Sequence, residues 1–183
     1  APYFTNHSMP SLFASRAAGA VPIVPDVARV RAGLAGTPID RTRAILVGHG
    51  HIDHVGDVPA LFGPGLIEGK PALITGGASG FGAGIARKFE AEGARVMIAD
   101  IDAPAVEAMA DVLGVACVVA DVSDDDGVAH MALAAEAALG PLDILVNNAG
   151  VTHLPAALED VTEEDFDRVL RVNSKSVYLT ARH

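Results

Sequence analysis

Tryptophan is absent from these 183 residues, tyrosine occurs twice, and there is a single cysteine, Cys117. One cysteine excludes a disulfide framework within the chain, which favours a reducing compartment. Its neighbours, Val115-Ala116-Cys117-Val118-Val119, read as a strand with a small buried thiol. Basic residues are also scarce, 13 Lys and Arg against 23 Asp and Glu. The deficit is uneven: residues 1–50 carry five Arg and two Asp, a balance of +3, so the net charge of −10 leaves −13 on residues 51–183. An acidic body of that kind argues against nucleic-acid binding. Long apolar runs are missing too. The stretch 11–24 is interrupted by Arg16 and lacks the basic start of a secretory signal. The expectation is a soluble, cytoplasmic protein with no membrane partner.

Half of the residues are hydrophobic, enough for one sizeable core. From about Lys70 onward, short apolar runs at 71–75, 95–99, 115–120 and 142–146 alternate with Ala-rich amphipathic stretches near 79–92, 103–112, 124–139 and 162–181. Alternation of this kind with continuously apolar strands predicts an α/β fold, a three-layer parallel sheet with helices on both faces. The acids Asp124, Asp125 and Asp126 stand at a helix start, where they complement the macrodipole and need no other role. Thr162 and Asp165 have capping-box spacing ahead of the last helix. Before Lys70 the pattern is sparser: a helix over 26–34, a strand over 44–48, a short helix over 54–62 and a Gly-rich linker over 63–69.

Two constellations carry chemistry. The first is Thr75-Gly76-Gly77-Ala78-Ser79-Gly80-Phe81-Gly82, which follows a strand and opens a helix, with Asp100 closing the next strand 18 residues after Gly82. Glycines there let the backbone approach a pyrophosphate at a helix N-terminus, and a carboxylate at that distance accepts ribose hydroxyls. Together with Asp121-Val122, Asn147-Asn148-Ala149-Gly150 and Asn173, this makes residues 68–183 resemble the first two thirds of a short-chain dehydrogenase/reductase of Rossmann type. The resemblance implies NAD(P) binding through Gly76, Gly80, Gly82, Asp100, Asp121 and Asn147, with Asp100 favouring NAD. It also places Asn173 in a catalytic tetrad whose Ser and Tyr-x-x-x-Lys members lie downstream of it. Tyr178 through Arg182 mimics that pair only superficially, because it continues a helix and Arg cannot be tuned as Lys can. On this reading the Rossmann portion is truncated, and NAD binding persists weakly.

The second constellation is His49-Gly50-His51-Ile52-Asp53-His54, holding three of the seven histidines. His49 and His51 fall two apart at a strand end, and Asp53 and His54 turn into the next helix, so four donors converge beyond the strand. The pattern predicts a metal site, one zinc held by His49, His51, Asp53 and His54. Residues 45–61 resemble the metal-binding strand and loop of the metallo-β-lactamase superfamily, within a similarity spanning roughly residues 20–62. The expected organisation is thus a metallo-β-lactamase-like fragment over 1–67 joined to a truncated dehydrogenase-like portion over 68–183. The expected sheet order is 3-2-1-4, with strand 44–48 added beside strand 4. The expected activity is a zinc-dependent hydrolase acting on activated ester or phosphoester substrates, with Asp53 or His54 as base or positioner. The alternative is an NAD-binding Rossmann module without oxidoreductase turnover. The apolar last helix suggests a homodimer.

Overall fold

The computed structural model describes residues 67–183. The elements expected over 26–34, 44–48 and 54–62 therefore lie outside the described residues, as do His49, His51, Asp53 and His54.

In chain order the elements are β1 (Pro71–Thr75), α1 (Gly80–Ala91), β2 (Arg95–Asp100), α2 (Ala103–Leu113), β3 (Ala116–Val119), α3 (Asp125–Leu139) and β4 (Ile144–Val146). A 3-10 turn (Leu158–Asp160) then leads to α4 (Glu163–Leu170), a π turn (Arg171–Lys175) and α5 (Ser176–Arg182). The four strands form one parallel sheet in the order β3-β2-β1-β4, with Ala72 level with both Val96 and Ile144. The expected α/β class, strand order and parallel sense are thus present. The strand expected beside β4 falls outside the described residues.

Alternation along the strands builds a core on each face of the sheet. Ala72, Ile74, Val96, Ile98, Ile144 and Val146 pack with Ala86 and Phe89 of α1 and with Val106 and Ala110 of α2. On the opposite face Leu73, Met97, Ala99 and Val118 pack with Val128, Met131 and Ala135 of α3 and with Leu179 of α5. Because both faces are covered, strands such as Leu73-Ile74 are apolar without a break.

Local chemistry sets the helix ends. Asp102 caps α2 by accepting the Ala105 N–H at 3.1 Å, and Gly114 ends that helix in the left-handed region at φ 67°. Asp124 caps α3 through the Gly127 N–H at 2.8 Å. Thr162 caps α4 through the Asp165 N–H at 3.1 Å, while the Asp165 carboxylate returns to the Thr162 hydroxyl rather than to its backbone.

Two expectations need correction. Ile67, read as linker, is 1 % exposed and joins the core beside Phe89, because the turn through Gly69 at φ 72° folds it under the sheet. Cys117 is only partly buried, since among the described residues β3 is an edge strand paired with β2 alone. Burial first, then the nearby acids Glu107 and Asp111, pushes its thiol pKa up from the ordinary value.

Candidate functional site

The carboxyl ends of β1, β2 and β4 converge on the loop between β1 and α1. Gly76 and Gly80 adopt φ of 64° and 54°, conformations costly for any residue with a Cβ. Crowding reinforces the requirement: a Cβ on Gly82 would lie 2.0 Å from the Gly76 carbonyl oxygen. Gly80, by contrast, has no atom of the described residues within 4 Å of where its Cβ would be, so among them the loop's outer face is open.

The N-terminus of α1 differs from that of α2, which lacks a first-turn acid but is capped by Asp102, and from those of α3 and α4, which have both a cap and first-turn acids. Its N-cap, Ser79, makes no side-chain capping bond, and its first turn holds no acid. The first turn of α3 carries Asp125 and Asp126, and that of α4 carries Glu163, Glu164 and Asp165. The positive end of a 12-residue helix without a side-chain cap thus stands beside a loop in which Gly76, Gly77, Gly80 and Gly82 leave the backbone uncovered by side chains of their own. That is the arrangement that takes a phosphate group.

Asp100 ends β2 beside this loop. Its Oδ2 accepts the Ala78 N–H at 3.1 Å and its Oδ1 accepts the Asp102 N–H at 3.2 Å. Asp121 lies after β3, where its Oδ1 accepts the Ser123 N–H at 2.8 Å. Its carbonyl oxygen comes so close to α3 that a Cβ on Gly127 would stand 2.6 Å away. The structure therefore brings Gly76, Gly80, Gly82, Asp100 and Asp121 to the carboxyl rim of one sheet. Asn147 is turned inward. It is 5 % exposed, and its Oδ1 accepts the Thr180 hydroxyl at 2.9 Å.

The next residue does what Asn147 does not. Asn148 Nδ2 donates to the carbonyls of Thr75 and Gly76 at 3.0 and 3.1 Å, clamping the start of the glycine loop. Thr75, 1 % exposed, completes the clamp: its hydroxyl donates to the Val146 carbonyl and accepts the N–H groups of Asn148 and Ala149 at 3.1 Å each. Sequence reasoning quoted both residues in their segments but gave neither a place in the site. Asn173 occupies the π turn and holds Val151 by both main-chain groups, at 2.8 Å to its N–H and 2.9 Å to its carbonyl. Tyr178 is exposed on α5, which continues the helical run that contains Asn173.

The short-chain dehydrogenase family pattern matches residues 70–183. The chain belongs to the short-chain dehydrogenase family. It is 48 % identical over 119 residues to a 4-formylbenzenesulfonate dehydrogenase of Comamonas testosteroni, covering 61 % of this chain and 46 % of that protein. It is 43 % identical over 122 residues to tropinone reductase-like 1 of Erythroxylum coca, covering 64 % and 45 %. Among solved structures, a 3-ketoacyl-(acyl-carrier-protein) reductase from Brucella melitensis complexed with NADH aligns with TM-score 0.62 and 46 % identity, over 63 % of this chain and 49 % of that one. This short-chain dehydrogenase chain spans about half the length of the curated relatives it matches.

Family membership overturns the zinc-dependent hydrolase reading, its esterase and phosphoesterase activity, and zinc as the cofactor. The relatives are dehydrogenases and reductases. Among the described residues no group of three or more His, Cys, Asp or Glu is placed to hold a metal ion. The metallo-β-lactamase-like resemblance over 20–62 precedes the matched residues and lies outside the described ones. Also among the described residues, no helix is long and apolar enough to cross a membrane.

Proposed function

We propose that residues 68–183 bind a nicotinamide dinucleotide, NAD(H) in preference to NADP(H), as the cofactor-holding part of an oxidoreductase. The observation that carries this reading is the pairing of an open, uncapped α1 N-terminus with the Asp100 carboxylate across a loop that tolerates no side chain at Gly82. The loop and the first turn of α1 take the pyrophosphate, Asp100 the adenosine ribose, and Asp121 with Val122 the adenine edge. Asn147, for which the family resemblance implies the same pocket, supports it from behind by tying the end of β4 to α5. When bound, the nicotinamide supplies hydride chemistry to an alcohol or carbonyl substrate, the substrate class suggested by dehydrogenase and reductase relatives.

Dinucleotide binding predicts ligand-dependent stability. NAD at about a hundred times its dissociation constant raises stability by about 2.7 kcal/mol, which a thermal melt reads as a clear upward shift. Gly82→Ala is expected to abolish the shift, because the methyl and the Gly76 carbonyl cannot share that space. An unshifted melt for the unsubstituted protein contradicts the proposal. Self-association through α4 and α5 belongs to the same reading, since Phe166, Leu170 and Tyr178 are exposed there. Light scattering tests it: Phe166→Glu with Tyr178→Glu turns a dimer into a monomer, and a monomeric parent protein removes the claim.

A further inference from the structure

The two backbone bonds to Asp100 give that carboxylate a second task. The N–H of Gly77 donates to the Ala99 carbonyl at 3.1 Å, and the next N–H, that of Ala78, donates to Asp100 Oδ2 at 3.1 Å. A Cβ on Gly77 would stand 2.6 Å from that of Ile98, so this stretch of loop is pressed onto β2. Two consecutive N–H groups thus stitch the inner half of the loop to the end of β2. One stitch uses a main-chain carbonyl that no substitution removes. The other uses a side chain.

We infer that Asp100 is a positioning residue for the glycine loop as well as a ribose acceptor, so that cofactor choice and loop shape are set by one carboxylate. The ribose half of this statement rests on the dinucleotide reading above; the loop half does not. A carboxylate offers about four lone-pair sites on its two oxygens. Here one site on each oxygen is engaged, by Ala78 and by Asp102. One site per oxygen is left, which suits the two hydroxyls of a ribose. A 2′-phosphate in place of one hydroxyl brings like charge to the carboxylate and no proton to share.

Substitution then has an unusual consequence. A carboxamide at this position presents one acceptor oxygen and one NH2, so in either orientation one of the two backbone N–H groups loses its partner. A serine side chain ends one bond short of the position that Oδ2 holds. If Asp100 selected cofactor by charge alone, either change would leave the unliganded loop intact and improve binding of the 2′-phosphorylated cofactor. As a strut, it releases the loop in both variants, and affinity falls for both cofactors.

Amide hydrogen exchange on the unliganded full chain, compared for the parent protein, Asp100→Asn and Asp100→Ser, reads the strut directly. The Ala78 amide is expected to exchange slowly in the parent and about tenfold or more faster in both variants, with the Val128 amide of α3 unchanged. Titration of the same proteins is expected to show NAD binding weakened about tenfold or more and no gain for NADP. An Ala78 amide that exchanges freely in the parent, or as slowly in the variants as in the parent, overturns the inference, and so does a gain in NADP affinity. The parent measurement holds even where a variant fails to fold. A protected Ala78 amide in a protein that binds no NAD instead refutes the dinucleotide reading and leaves the strut standing.

Discussion

Thr75 shows how much one buried hydroxyl carries at the rim of this sheet. It accepts two main-chain N–H groups, from Asn148 and Ala149, and donates to a third main-chain group, the Val146 carbonyl. Replacing the hydroxyl with a methyl takes away the acceptor of the Ala149 N–H and leaves the Asn148 N–H only its second one, the Val146 carbonyl at 3.1 Å. Thr75→Val, nearly isosteric, is therefore expected to cost about 1–3 kcal/mol, whereas Thr75→Ser keeps the bonds and costs less. Urea unfolding separates the two; equal losses contradict the role given to the hydroxyl. The contrast with the glycines explains what was legible at this scale. Gly76, Gly80, Gly82 and Asp100 were readable because their spacing along the chain expresses a local geometric need. Thr75 and Asn148 act on partners more than 70 residues distant, and no local pattern records such a pairing. Asn147 illustrates the converse: its place in a familiar segment suggested the ligand side, while in the fold it faces Thr180.

At the scale of elements, the last helix is the instructive case. Its extent was readable as 162–181, and α4, the π turn and α5 together run from Glu163 to Arg182. The π turn itself was not readable. An extra residue in one helical turn is stabilised by a tertiary bond, here the grip of Asn173 on Val151, and helical periodicity carries no trace of that bond. Asn173→Leu removes both bonds to Val151 and is expected to destabilise the protein by about 1–3 kcal/mol in urea unfolding. A loss below about 0.5 kcal/mol, the usual scatter for surface changes, contradicts that role.

The start of the same helix titrates. The hydrogen bond from Arg168, and then that from Thr162, holds the Asp165 carboxyl below its ordinary value. Asp125 is held low first by its bond to His183. A carboxyl whose pKa is lower folded than unfolded stabilises the fold above its unfolded value and ceases to do so as pH falls through the folded value. Melting temperature is therefore expected to fall as pH drops below about 4. Asp165→Asn is expected to flatten that slope slightly, since the carboxyl is about half exposed and solvent weakens its pairing. Identical slopes remove Asp165 from the account of acid sensitivity.

Over the whole molecule, the alternation of apolar strands and amphipathic helices was enough to read the layers and the parallel sense, while the order β3-β2-β1-β4 came with the resemblance to short-chain dehydrogenases. Both core faces follow from that order, because side chains alternate across each strand and helices lie on either side. The histidine cluster misled at this scale. Donor density between His49 and His54 was weighed above a glycine loop whose supporting residues span four strands. Spacing alone does not reveal whether a cluster has the further ligands that a fold must bring to it. Residues 70–183, by contrast, agree at every level: local turn chemistry, strand periodicity, helix capping and family.

Dinucleotide binding at the rim of this sheet is the claim on which the rest depends. Its most direct measurement is a calorimetric titration of the 183-residue protein with NADH and, separately, with NADPH. One saturable site for NADH, with NADPH weaker by about tenfold or more, is the predicted result. The absence of binding heat for either ligand up to about 1 mM, from protein whose circular dichroism shows it folded, would contradict it.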